Sequence, residues 1–90
     1  MTGAELIAAE RLRQIVVEGW TPEHDDGHAT DDLAEAAAAY LLNDETLFPW
    51  PDWWKPGDDP IRRLVKAGAL IAAEIDRLQR RATVSQEPSS

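Results

Sequence analysis

Ninety residues make one domain at most, and a chain of that size buries only about 60–65% of the surface its unfolded form exposes, so its core must be thin. Seventeen acids against nine bases give a net charge of −8, which argues against direct nucleic-acid binding, because that rests on Lys and Arg neutralising phosphates. The absence of cysteine excludes disulfides, thiolate metal sites and thiol nucleophiles, and suits a reducing cytoplasm.

No apolar run approaches the roughly 18–20 residues a membrane span needs, and no signal-peptide pattern opens the chain. No membrane association and a cytoplasmic location are therefore expected. The charge is unevenly placed. Residues 18–59 hold twelve acids and one base, Lys55, whereas residues 60–81 hold six bases and two acids. Two readings follow. Either the regions neutralise each other on packing, or the third helix presents a cationic patch to a phosphate-bearing ligand.

The expected fold is all-α: about three helices, one extra short turn, and a Trp/Pro-rich loop between helices 2 and 3. The first helix is predicted from near Ala4 to Glu18, with Leu12, Val16 and Gly19 or Trp20 on one stripe and Ile15 beside it. Gly19 is a stop, since glycine takes the left-handed conformation without a Cβ clash. Thr21-Pro22 then reads as an N-cap and first helical residue, opening a short turn across Glu23 to Asp26.

The second helix is predicted from Asp31 or Asp32 to Leu42. Leu33, Ala36, Ala37, Tyr40 and Leu41 fall at i, i+3, i+4, i+7 and i+8. Residues 43–59 form a long loop with Pro49, Pro51, Pro56 and Gly57 among Phe48, Trp50, Trp53 and Trp54. Those rings either complete a thin core as a lid, offer a stacking platform to a planar ligand, or form a self-association surface.

The third helix is predicted from Pro60, capped by Asp58 or Asp59, to about Arg81. Ile61, Leu64, Gly68, Ile71, Ile75 and Leu78 alternate spacings of three and four, a coiled-coil-like seam for a contact within the chain or between chains. Ala67, Gly68, Ala69, Ala72 and Ala73 slim its middle for packing on the alanine face of helix 2. A mid-helix glycine, costing up to about 1 kcal/mol, signals close contact. Residues 1–81 are read as the single domain and 82–90 as a disordered tail.

The densest polar cluster is Glu23-His24-Asp25-Asp26-Gly27-His28. Its acids can cap backbone N–H groups or pair with Arg11 and Arg13, line a polar pocket, or hold Mg²⁺ through oxygens. Arg11 and Arg13 are suited to gripping a carboxylate or phosphate, or to plain ion pairing. No nucleophile, phosphate loop or dinucleotide fingerprint is present.

The run Glu10-Arg11-Leu12-Arg13-Gln14, then Glu18-Gly19-Trp20-Thr21-Pro22-Glu23-His24-Asp25-Asp26-Gly27-His28, resembles a family of small proteins of tailed phages and prophages. Leu33 to Tyr40, Trp50-Pro51, Trp53-Trp54-Lys55-Pro56 and Arg63 to Ile75 extend the likeness over roughly residues 5–81. The layout is also similar to a shortened MazG-like all-α nucleotide pyrophosphohydrolase, a family that binds Mg²⁺ through two carboxylate pairs. Asp32 and Glu35 could stand in for the first pair. Glu74, however, is followed at the required spacing by Arg77 rather than an acid.

The resemblance implies a phage-type accessory protein in the cytoplasm of a bacterial host. It would bind a nucleotide or nucleotide-like ligand, with counter-defence as a role, and assemble as a homo-oligomer. The candidate contacts are Arg11, Arg13, Trp20, His24, Asp25, Asp26, His28, Trp54 and Lys66, and the candidate Mg²⁺ ligands are Asp25, Asp26 and Glu35. A divergent Mg²⁺-dependent pyrophosphohydrolase and a ligand-free interaction module are the alternatives.

Overall fold

The computed structural model describes residues 1–23 and 31–86, with side chains to residue 82. Among the described residues the structure is all-helical: α1 (Gly3–Val16), α2 (Asp32–Leu42) and α3 (Pro60–Gln86). Two 3₁₀ turns, Glu45–Leu47 and Pro51–Trp53, punctuate the loop before α3.

Each helix boundary has a local cause. Thr2 and Glu5 form a capping box that starts α1: Glu5 N–H donates to Thr2 Oγ1 and Thr2 N–H to Glu5 Oε1. α1 stops at Val16, short of the expected Glu18. Gly19, at φ 75°, turns the chain so that the Trp20 N–H returns to the Gln14 carbonyl. Pro22 and Glu23 are helical, as the Thr21-Pro22 signal predicts. α2 ends on Asn43 in the left-handed region, with the N–H groups of Asn43 and Asp44 returning to the carbonyls of Tyr40 and Ala39. Asp59 caps α3 through the Ile61 N–H, with Pro60 at the first helical position, and the helix runs on past Arg81 to Gln86.

The core is a small-residue contact between α2 and α3. Leu33, Ala36, Ala37, Ala39 and Tyr40 of α2 are buried against Ala67, Leu70 and Ala73 of α3. Alanine faces let backbones approach but leave little side-chain volume to fill the space. Loop rings supply it. Phe48 is buried and meets Tyr40 edge-on at 5.5 Å, while Trp54 stacks on Tyr40 at 4.9 Å and Trp50 meets Phe48 at 5.5 Å. The loop therefore acts mainly as the lid that completes the core.

Three expected faces differ. Leu12 and Val16 are exposed, and the inward face of α1 carries Glu10 and Gln14 instead. Leu41 is exposed while Ala39 is buried. The apolar seam of α3 lies outside: Ile61, Leu64, Ile71, Ile75 and Leu78 are all exposed. The buried stripe, Leu70, Ala73 and Arg77, sits about 150° round the helix from the centre of that seam. The alanines of α2 meet Ala67 and Ala73 of α3, where small side chains permit a close approach.

Gly68 has its expected close contact, but with α1. A Cβ there would fall 2.6 Å from Cδ1 and 2.8 Å from Cγ1 of Ile7. Gly68→Ala should cost about 1–3 kcal/mol in overpacking against a helix-propensity gain of up to about 1. The net loss should lower the melting temperature by several degrees. In an Ile7→Ala background the same change should be neutral or stabilising. A thermal-unfolding double-mutant cycle without coupling between the two positions would disprove the contact.

Candidate ligand-binding cleft

α1 places a polar pair, Glu10 and Gln14, four residues apart on its inward face; both are at most 2% exposed. A buried carboxylate is costly unless paired and hydrogen-bonded. Arg13 donates to both Glu10 oxygens, at 2.8 and 2.9 Å, and Arg62 of α3 donates to Oε1. Arg13 also reaches Glu18 at 2.9 Å. Burial acts to raise the Glu10 pKa, but the Arg13 hydrogen bonds and the charges of Arg62 and Arg13 outweigh it and hold it below its ordinary value. The same contacts raise the pKa of Arg13.

Gln14 is oriented by this carboxylate. Its Nε2 donates to Glu10 Oε2 at 3.3 Å, and flipping the amide would set oxygen against oxygen. Its Oε1 is buried, and no donor among the described residues reaches it. Gln14 lines a cleft of about 50 Å³ together with Glu10, Arg13, Glu18, Trp20, Tyr40, Trp53, Lys55 and Lys66.

Lys66 forms the cationic wall. Its Nζ donates to the Lys55 carbonyl at 2.8 Å and lies 5.7 Å from the Tyr40 ring centre. Burial lowers its pKa, and the charge of Arg62 adds to the effect. Tyr40 is shifted upward, chiefly by burial, against an opposing hydrogen bond with the Lys55 backbone. Trp53 is 62% exposed and leaves an indole open at the rim.

Of the predicted contacts, Arg13, Trp20 and Lys66 come together here. Arg11 stands behind them, its Nη1 donating to the Trp20 carbonyl at 3.2 Å. Trp54 packs inward on Tyr40, and its neighbour Trp53 is the ring that lines the cleft. His24, Asp25, Asp26 and His28 lie outside the described residues. Glu10, Gln14, Glu18, Tyr40, Trp53 and Lys55 were not among the predicted contacts. Gly3, Ile7, Glu10 and Gln14 repeat at spacings of four, three and four, which could have placed the polar pair on the face that meets Gly68.

Local contacts engage part of the basic helix. Arg62 answers Glu10, Arg77 answers Glu74 and Arg80 donates to the Pro22 carbonyl. Neither acid comes from the acidic stretch 18–59. Of the candidate Mg²⁺ ligands, Asp25 and Asp26 lie outside the described residues. Both Glu74 oxygens accept from Arg77, at 2.6 and 3.1 Å, and Glu35 is exposed on α2. Among the described residues no group of three or more His, Cys, Asp or Glu side chains could hold a metal ion. No known protein family, curated protein or solved structure matches the chain.

A carboxyl with a depressed folded-state pKa contributes stability that is present above its unfolded pKa and lost as pH falls through the folded one. Glu10 should therefore stabilise the protein at neutral pH, with that contribution fading below about pH 4.5. Glu10→Gln should cost about 3 kcal/mol at pH 7, the low end for a broken buried pair, because Arg62 is 41% exposed and can rehydrate. Urea unfolding from pH 7 to 3 should show the two proteins converging as acid is added. A constant difference across that range would rule this account out.

Proposed function

We propose that the chain is a small binding protein for a planar, anionic ligand of the nucleotide class, held without turnover. The observation carrying this reading is the buried, donor-less Gln14 Oε1 in a cleft that also presents Lys66 and the open ring of Trp53. A buried acceptor without a donor costs about 1–3 kcal/mol, which a ligand N–H would recover. Lys66 has ammonium protons beyond the one given to Lys55, and an anion would reverse the burial effect on its pKa. Trp53 supplies a face for stacking.

The volume limits the pose. About 50 Å³ admits a few waters or the polar edge of a ring, well short of the roughly 300 Å³ of a small-molecule pocket. The ligand would insert an amino or imino edge toward Gln14 and lay its plane on Trp53 outside. Binding is favoured over pyrophosphohydrolysis because Arg77 occupies both oxygens of Glu74. In the phage setting implied by the resemblance, such a protein would withhold a host nucleotide.

The small volume also favours a second reading, a scaffold whose cleft holds only water. Tryptophan fluorescence and thermal-shift titrations with AMP, ATP and inorganic pyrophosphate separate the two. Saturable quenching and a raised melting temperature with the nucleotides are expected. Trp53→Ala should weaken binding about 5- to 150-fold, the range for loss of one base–aromatic stack. Gln14→Leu should weaken it while leaving pyrophosphate without effect. A wild-type protein indifferent to millimolar nucleotide would leave the scaffold reading standing.

A further inference from the structure

The exposed stripe of α3 has no cover within the described residues. Ile61, Leu64, Ile71, Ile75 and Leu78 are between 44% and 64% exposed. With Gly68 they repeat at three, four, three, four and three residues, the spacing at which one helix's side chains fit the four-residue holes of another. No charged residue occupies the stripe. Ala72, half-buried beside its centre, is small enough for a second backbone to come near.

Ile7 takes up the position at Gly68, so the open surface is two stretches, Ile61 with Leu64 and the triplet Ile71, Ile75 and Leu78. The segments of this sequence outside the described residues, 24–30 and 87–90, hold no Leu, Ile, Val, Met, Phe, Tyr or Trp. They bring nothing apolar to lay on it. Neither segment can therefore supply its cover.

We propose that this stripe is the contact surface between two copies of the chain, α3 against α3. A heptad stripe is complementary to itself, and a two-fold pairing uses the same patch on both partners. At about 100 Å² from each half-exposed Leu or Ile, the stripe offers roughly 500 Å². Two copies would bury roughly 1,000 Å², the size a specific interface must clear and far from an obligate one. The pairing is therefore reversible and concentration-dependent.

Sedimentation equilibrium on the full chain, from about 1 to 200 μM, should show the mass rising from the 10.0 kDa of one chain toward twice that value. The Ile71→Glu/Ile75→Glu variant should stay at one chain while keeping its helical circular dichroism, because both side chains lie outside the core. The chain has no cysteine, so Ile75→Cys gives a second readout: oxidation should yield a disulfide-linked dimer. A wild-type chain that stays monomeric throughout overturns the proposal, even if another protein occupies the stripe. So does a dimer that survives both glutamates, or one in which Ile75→Cys does not cross-link.

Discussion

The buried carboxylate of Glu10 is the constraint around which the cleft is arranged. Two arginines from different parts of the chain, Arg13 and Arg62, converge on it. Their convergence ties α1 to the start of α3 across fifty-two residues of sequence. The carboxylate also decides which way the Gln14 amide points, leaving its Oε1 buried with no donor among the described residues. An apolar residue at position 10 would pack as well, yet it would leave Arg13, Arg62 and Gln14 without the group that orders them. The polar interior of α1 is thus less a source of stability than of geometry.

A second constraint comes from alanine. Ala36, Ala37 and Ala39 meet Ala67 and Ala73 with little side-chain volume between the helices. A pair of alanine faces buries too little area to hold a ninety-residue fold, and the aromatic loop answers that shortage. Phe48 and Trp54 enclose Tyr40, and Trp50 closes over Phe48. Once these rings are committed to the core, Trp53 is left facing water at the cleft. Structural demand on the loop and the availability of one ring for a ligand are the same fact seen from two sides.

Helix number, the Asp59-Pro60 start, the Gly19 turn and the crowding at Gly68 were legible because each has a local physical signature. Faces were less legible. Leu12 and Val16 looked like a core stripe because hydrophobicity alone was read, yet the inward face of α1 is the polar one. Such an arrangement is stable only when arginines from elsewhere answer Glu10, and no local pattern announces a partner fifty-two residues away. On α3 two stripes competed, the Ile/Leu seam and the Leu70-Ala73-Arg77 line. Choosing between them required knowing that the facing helix carries alanine. Trp53 and Trp54 could not be told apart by composition, since adjacent residues exchange roles with one change of backbone direction.

The two 3₁₀ turns and three prolines of the loop have a thermodynamic consequence. Proline fixes one backbone torsion before anything arrives, and the 3₁₀ turn at Pro51–Trp53 sets the direction of the next. The positions of the rim indole and of the Lys55 carbonyl that steadies the neighbouring ammonium are therefore set by the loop itself. On the proposed binding role, little conformational entropy would remain to be surrendered on docking.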